Sequence, residues 1–500
     1  MKSLLPVLLS FLLLLPFAHC GRCGDPAPSP AEPPKSWIER DNLLPDPVGL
    51  RARLADKGVV FSLLYTAEEF GNPVGGRRQG QVYDGLVAAG CDVDFEKLLG
   101  SAWKGLQFHV LSYYPHGASG TNKYVGDLGR FSNIDAYDSV RLFELWLDGT
   151  FFNGWCALRL GQLATDAEFA TSDGGALFIN SDFGALPTFA LNLPVPTYPY
   201  AAPGVRLRVS PPGGKFYFQG AAYDGNPDPA TFGDPTPGSQ PSTTYNRNGI
   251  HFNINSHEGA FLIGQFGYRL NREPDAKGLP GTYRVGAFYH TDTFSDERLD
   301  SLGRSLADPR SSGLARARDG NYGAYFSADQ NVYVAHGAAP FAGPDSTASA
   351  PVGNVADNPG AGASSSAAAP AAPAAPSGFA ASVFLRVGVA PEDRNNAPCT
   401  CCAGCNIRGL LPCRPKDVFG IAFAYVGISD ARRQLARDRE RFTGVREALP
   451  DYENVLEITY QGNVTPWMQL QPDLQYIAHP GGSGAFGNAL VLGLRSVVTF

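Results

Sequence analysis

Methionine is nearly missing from this chain: two residues in 500, against 31 Phe, 21 Tyr and 58 Gly. That balance suits turns and β-structure better than a helical bundle. A large excess of charge of either sign is missing too. Forty Lys and Arg against 47 Asp and Glu leave a net charge of −7, mild for this length, so neither a nucleic-acid surface nor an acidic tail is suggested. Beyond the first 20 residues no run is long and apolar enough to cross a bilayer as a helix, which needs ~20 apolar residues. Nucleophile elbow, P-loop, Rossmann glycine set and HExxH pair are all lacking, and no Ser/His/Asp spacing points to a hydrolase. The expectation is a chain that is not an enzyme, with no cofactor, no resident metal and no nucleic-acid partner.

What is present begins with "MKSLLPVLLSFLLLLPFAHC", one Lys followed by a leucine-rich core, which reads as a secretory signal peptide over residues 1–20. Cleavage after Ala18-His19-Cys20 and lipidation at Cys20 both stay open, although His19 is not the small residue expected before a lipidated cysteine. A Pro-rich spacer follows through residue 35, carrying "DPAPSPAEPP", which cannot pack. Within residues 36–58, "LPDPVGLRARLADKG" reads as a short amphipathic helix, with Asp46 as N-cap, Pro47 at the first helical position and Gly58 as the stop.

From Val59 onward, alternating segments separated by turn residues dominate. In "NALVLGLRSVVTF", Leu490, Leu492, Leu494, Ser496, Val498 and Phe500 share one parity, and Val491, Gly493, Arg495, Val497 and Thr499 the other. Successive strand side chains point to opposite faces, so one face is apolar and the other mixed. In "WMQLQPDLQYI", Met468, Leu470, Leu474 and Tyr476 oppose Gln469, Gln471, Asp473 and Gln475; in "VLEITYQ", Leu456, Ile458 and Tyr460 oppose Glu457, Thr459 and Gln461. "RLFELWLD" alternates imperfectly, because Arg141 shares the parity of Phe143. With "IHFNIN" included, about sixteen such segments can be drawn, an even number as in bacterial barrels. Links such as 211–215, 256–259 and 462–466 are short, whereas 115–138, 166–200, 225–247 and 336–378 are long. Short turns on one side and long loops on the other is the outer-membrane arrangement. The low-complexity stretch 351–380, centred on "ASSSAAAPAAPAAP", falls in one of the long links and is read as an extracellular loop.

Alternation by itself also fits a soluble sandwich. Three features tilt toward a transmembrane antiparallel β-barrel over residues 59–500. One export signal is followed by an unbroken series of strands. The polar parity carries Arg, carboxylates, Gln and Trp rather than a soluble Lys/Glu/Thr coat. Aromatics such as "YPY" (198–200), Tyr460, Trp467, Tyr476 and Phe500 stand near strand ends, where a lipid–water girdle would want them.

Over nearly all of its length beyond the signal and spacer the chain resembles the carbohydrate-selective porin family (OprB-type). The resemblance lies in "DPVGLRARLADKGVVFSLLYTAEEFGNPVGG", "LFELWLDGTFFNGWCALRLGQLATDAEFATSDGGALFINSDFG", "RVGVAPEDRNN", "GLLPCRPKDVFGIAFAYVGIS" and "ENVLEITYQGNVTPWMQLQPDLQYIAHPGG", in that order. It implies an all-β outer-membrane barrel of about 16 strands that passes small carbohydrates by passive diffusion, as a homo-oligomer (trimer) or a monomer. It also implies that Phe500 is an assembly signal read by the barrel-assembly machinery. The N-terminal segment 36–58 becomes a candidate periplasmic plug. The alternative is a plugged structural or adhesive barrel whose long loops bind a partner.

Strand parity supplies the candidate pore lining: Glu144, Trp146, Arg159, Arg206, Arg208, Arg386, Glu457, Asp473 and Arg495. A sugar hydroxyl withdrawn from water needs a replacement partner, and charged groups give the stronger hydrogen bonds. The same residues could instead pair with one another inside the barrel. The stretch "TDAEFATSDGGALFINSDFG" resembles the inward-folded constriction loop of porins, with Asp166, Glu168, Phe169, Asn180 and Asp182 narrowing the passage. Five cysteines in "NNAPCTCCAGCNIRGLLPC" depart from the family pattern. Cys399, Cys401, Cys402, Cys405 and Cys413 are read as disulfide candidates within a periplasmic turn, since an exported chain meets oxidising conditions.

Overall fold

A computed structural model describes residues 36–211, 214–227, 246–252, 254, 258–272, 276–341 and 378–500. The signal peptide, the spacer through residue 35 and residues 351–377 of the low-complexity stretch lie outside the described residues. The chain divides into Met1–Ile38 and Glu39–Phe500, and the second unit holds every described strand.

Sixteen antiparallel strands close on themselves. The first eight are β1 (Val59–Gly76), β2 (Gly80–Asp94), β3 (Leu106–Gly117), β4 (Arg141–Phe151), β5 (Cys156–Leu163), β6 (Ala202–Val209), β7 (Phe216–Asp224) and β8 (Ala260–Leu270). Then come β9 (Gly281–Asp300), β10 (Ala315–Val334), β11 (Ala380–Val389), β12 (Cys399–Arg408), β13 (Val418–Gly427), β14 (Tyr452–Thr465), β15 (Met468–Ala478) and β16 (Gly487–Thr499). Each strand pairs with its sequence neighbours, and β1 pairs with β16 from Leu64↔Thr499 to Gly76↔Gly487, which closes the ring.

The ring is inside out relative to a soluble sandwich. Large apolar residues on one parity are exposed, among them Leu160, Leu207, Phe266, Leu385, Phe423 and Leu494. On the alternate parity Arg159, Arg206, Arg386 and Arg495 are buried. Apolar side chains facing outward and charges facing inward are stable only when the outer solvent is hydrocarbon. The irregular parity of "RLFELWLD" has a local cause. Leu111 pairs with Glu144 and the adjacent Ser112 with Leu142, so Phe143 is the extra residue of a β-bulge in β4. Arg141 and Phe143 therefore face inward on one side of the bulge, and Glu144, Trp146 and Asp148 on the other.

The strand count matches the expectation, but one member differs. Ile250–Phe252 and Ile254, from "IHFNIN", belong to no strand, and the cysteine-rich stretch forms β12. The cysteines are thus not gathered in a turn: Cys399, Cys401, Cys402 and Cys405 lie on β12, and Cys413 alone sits in the β12–β13 connection. All five, with Cys91 and Cys156, are free thiols, which overturns the disulfide expectation among the described residues. Successive strand residues face opposite sides, so Cys402 is buried while Cys399, Cys401 and Cys405 take the outward parity.

Connections after odd-numbered strands emerge at one rim, and those after even-numbered strands at the rim that carries the start of β1 and the end of β16. The long β3–β4 loop (118–140) and β5–β6 loop (164–201) belong to the first rim. The connection between β10 and β11, which contains 351–377, leaves from the second. The low-complexity stretch was expected among the long loops, but its described flanks stand at the opposite end. Tyr198 and Tyr200 also lie in the β5–β6 loop, not in an outer girdle, and Tyr198 donates to the Ile134 carbonyl at 2.8 Å.

The N-terminal helix α1 (Leu50–Asp56) starts later than expected. Asp46 caps it from outside, accepting from the Leu50 and Ala52 amides at 2.7 and 3.2 Å, while Gly49 takes the N-cap position with φ 62°. None of its residues is buried, and Leu43 just before it donates to the Thr499 carbonyl at 2.9 Å. The helix thus lies at the rim, next to the end of β16.

Candidate pore constriction

The β5–β6 loop does not project from the barrel. It folds inward and is fastened to the inner wall almost all the way round. The Ile179 and Asn180 amides donate to the two Glu457 carboxylate oxygens on β14 at 2.6 and 3.0 Å. Arg386 on β11 donates from Nη1 to the Phe183 and Gly184 carbonyls at 2.7 and 2.6 Å. Asp329 on β10 accepts from Ser172 Oγ at 2.7 Å and the Gly174 amide at 3.0 Å. Gln265 on β8 accepts from the Ala170 amide at 3.0 Å, and Gln475 on β15 from Asn180 Nδ2 at 2.9 Å. A loop inside a barrel has no bulk water for its backbone groups, so the wall must supply their partners.

Apolar packing completes the attachment. Phe178, Ile179 and Phe183 pack with Phe384 and Cys402, while Phe169, Leu186 and Phe189 pack with Trp146, Phe261 and Phe288. The β3–β4 loop folds inward beside it: Asn133 donates its amide to the Ile179 carbonyl at 2.9 Å, and its side-chain oxygen accepts from Arg495 at 2.5 Å. Arg495 also pairs with Glu68, which accepts from Ser132 Oγ at 2.6 Å.

One ion-paired cluster stands out. Arg206 donates to Asp148 at 2.9 Å and to Glu168 of the loop at 2.6 Å; Arg159 reaches Asp148 at 2.8 Å and also pairs with Glu168. Burial by itself would lift the Glu168 pKa; Arg159 and Arg206 outweigh that and hold it at about 2. The Arg159 guanidinium lies 3.7 Å over the Trp146 ring, which stacks on His109 at 4.7 Å. Asp166 takes a different role. It is buried, accepts from the Tyr198 amide at 3.1 Å, and burial pushes its pKa up to about 7.

All nine candidate lining residues carry inward parity, but eight of them are buried beneath the two loops: Glu144, Trp146, Arg159, Arg206, Arg386, Glu457, Asp473 and Arg495. They brace the constriction instead of facing the passage. Arg208 is half-buried, its guanidinium 4.2 Å over the Tyr217 ring. On the loop, Phe169, Asn180, Asp166 and Asp182 are buried, whereas Glu168, Thr171, Asp173 and Ser181 keep partial access. Sequence reasoning missed Glu68, Arg284 and Asp329. Parity was the available signal for all three. Of the adjacent acids in "YTAEEF", Glu68 is buried and Glu69 exposed, and Arg284 pairs with Asp329 at 2.8 Å from neighbouring strands.

The inner charges are segregated. Arginines predominate from β5 to β12 (Arg159, Arg206, Arg208, Arg269, Arg284, Arg386 and Arg408), and carboxylates from β14 round to β4 (Glu453, Glu457, Asp473, Glu68, Asp84, Glu144 and Asp148). Arg495 and Arg141 interrupt the acidic arc, and Asp224, Asp296, Asp300 and Asp329 the arginine arc.

An inside-out closed barrel, narrowed by a charged loop pinned to its inner wall, defines a pore-forming barrel of the outer-membrane type. The chain belongs to the carbohydrate-selective porin, OprB family, whose family model matches residues 78–500. Porin B of Pseudomonas aeruginosa is 25% identical over 490 residues, spanning 92% of this chain and 91% of that protein. The high-pH structure of Pseudomonas putida OprB superposes with a TM-score of 0.75 at 22% identity, covering 93% of this chain and 100% of its own. At that identity the structural likeness speaks to the fold. Family membership makes the chain a channel of the Gram-negative outer membrane and a member of a carbohydrate-selective class.

Proposed function

We propose that the chain conducts small neutral sugars across the outer membrane by passive diffusion, through the gap left beside the pinned β5–β6 loop. The observation that carries this reading is the mixed character of the partly exposed polar residues there: Arg208, Thr171 and Ser181, beside the Glu168 carboxylate that Arg159 and Arg206 hold. A wall of one charge sign would select ions, whereas donors and acceptors side by side suit a polyhydroxyl solute. The contacts replace water without holding the sugar tightly, which passage requires. In this reading the rim bearing the start of β1 and the end of β16 faces the periplasm. Outer-membrane lipid covers the apolar belt, the signal peptide directs export, and the assembly machinery reads Phe500. The remaining lining candidates act by holding the loop.

The test is liposome swelling with purified protein and arabinose, glucose and a disaccharide side by side. The expected order is arabinose and glucose fast and disaccharide slow, with Arg208→Ala narrowing the difference between them. No sugar-dependent swelling would remove the transport reading and leave the plugged, adhesive barrel in its place.

A further inference from the structure

Three carboxylates approach one another where the two inward loops cross β14: Asp127 of the β3–β4 loop, Asp182 of the β5–β6 loop and Glu453 of the wall. All three are buried. Glu453 is fully engaged, accepting from the Leu128 amide through both oxygens at 2.9 Å and from the Gly481 amide at 2.7 Å. Neither oxygen of Asp182 has a hydrogen-bond partner, while Asp127 has the Thr121 hydroxyl and its own backbone amide close by. The crossing is tight: a Cβ added to Gly129 would fall 1.9 Å from Asp182 Oδ1.

The charged and titratable groups facing this spot leave it acidic. Arg130 and Asp135, from the same loop, act on Asp127 in opposite senses. Arg386 of β11 faces Asp182, and its Nη1 is occupied by the Phe183 and Gly184 carbonyls. The Cys402 thiol of β12 donates to the Asp182 carbonyl at 3.3 Å. Three mutually repelling buried carboxylates, one of them without any donor, favour arrangements in which protons remain on them.

We propose that Asp127, Asp182 and Glu453 form a proton-operated latch: protonated, it clasps both loops to β14, and as the carboxyls ionise their repulsion frees the loops and widens the constriction. The proposal rests on the porin reading, because it regulates that same passage. Burial pushes Asp127 up to about 7 against the opposing Thr121 hydroxyl and its own amide, with Asp135 adding and Arg130 opposing; burial likewise pushes Asp182 up to about 7, with Asp127 adding and Arg386 opposing. A carboxyl whose pKa is raised in the closed arrangement binds its proton more tightly there than in the released loop. Low pH therefore favours closure, and the preference is lost as pH rises from about 4 to about 7, by up to tenfold per pH unit for each carboxyl.

The test is peptide-level hydrogen exchange of the intact barrel in detergent at about pH 5.5 and pH 8, corrected for intrinsic rates, with single-channel recordings alongside. In the wild type, segments 126–133 and 178–184 are expected to exchange roughly tenfold faster at the higher pH. The Asp127→Asn/Asp182→Asn double variant is expected to exchange alike at both. Should that variant fail to fold, Glu453→Gln, which keeps an acceptor for Leu128, is expected to blunt the pH response. Wild-type exchange indifferent to pH overturns the latch, and so does a pH response that the variants retain. Loosening at pH 5.5 on adding a chelator overturns it as well, by assigning the site to a bound divalent cation. Absence of current at every pH counts against the porin reading instead, while the exchange data still decide the latch.

Discussion

Glu457 and Ile179 stand 278 residues apart in sequence and meet at 2.6 Å, carboxylate oxygen to backbone amide. Together with the Asn180 amide at 3.0 Å, this makes Glu457 a bracket for the far reach of the constriction loop. A hydrogen bond contributes about 0.5–1.5 kcal/mol net, and a buried donor left without its acceptor costs about 1–3 kcal/mol. Glu457→Ala removes both and leaves two buried amides unsatisfied. The expected outcome is a folded barrel with larger and noisier single-channel conductance and weaker discrimination between glucose and a disaccharide. Unchanged conductance would mean that the apolar packing of Phe178 and Phe183 and the bonds from Arg386, Asp329 and Gln475 hold the loop without Glu457.

Glu168 joins the loop to Arg159 and Arg206, and those arginines hold its pKa at about 2. The folded pKa lies below the ordinary carboxylate value, so the bonus is fully present above about pH 4.5 and fades as pH falls through about 2. This clamp is therefore insensitive to pH across the neutral range, and any change in conductance between pH 5.5 and 8 must originate elsewhere. Glu168→Gln leaves two buried guanidiniums sharing Asp148; breaking a buried pair in this way costs about 3–5 kcal/mol. The variant should lower the thermal midpoint and abolish the residual stability difference between pH 5 and pH 2 that Glu168 contributes, both measurable by circular dichroism in detergent.

Much of this was open to parity. The segments of β14, β15 and β16 alternate cleanly because one face meets hydrocarbon and the other the packed interior, and an inward charge among outward leucines is visible without coordinates. β12 was hidden because cysteine occupies both faces, Cys402 inward and Cys399, Cys401 and Cys405 outward, so no contrast marks the period. Arg141 looked misplaced because a bulge at Phe143 resets the parity of β4. The roles of the inward residues were less legible than their direction. Glu457, Arg386 and Asp329 serve a loop far away in sequence, and nothing in the local pattern of a strand tells whether its inward charge will meet solute or a returning backbone.

The cysteines offer a direct check on that interior. Cys402 is buried against the Asp182 carbonyl, whereas Cys399 and Cys413 are exposed. A water-soluble maleimide should label Cys413, in the β12–β13 connection, within minutes in the folded barrel, and Cys402 only after unfolding. Reduction should leave the mobility of the protein on a gel unchanged with respect to these five residues. A species linked between Cys402 and Cys405 would contradict the opposite facing of their side chains on β12.

Gly161 tests whether the β4–β5 pairing that presents Trp146 and Arg159 tolerates a side chain. Its φ of 147° falls where L-residues are rarely found, and an added Cβ would sit 2.1 Å from the Leu145 carbonyl oxygen and 2.6 Å from Trp146 Cα. Both contacts are backbone atoms of a paired strand, so relief requires β4 and β5 to part. Gly161→Ala should cost about 2–4 kcal/mol, combining backbone strain with a core clash. Gly71 on β1 makes the control: its added Cβ meets nothing nearer than Gln81 Cγ at 3.6 Å, an ordinary contact. Heat modifiability on a gel should therefore shift to lower temperature for Gly161→Ala and stay put for Gly71→Ala. Equal behaviour of the two would mean that β4 and β5 already separate at this point, and with them the stack of Arg159 on Trp146.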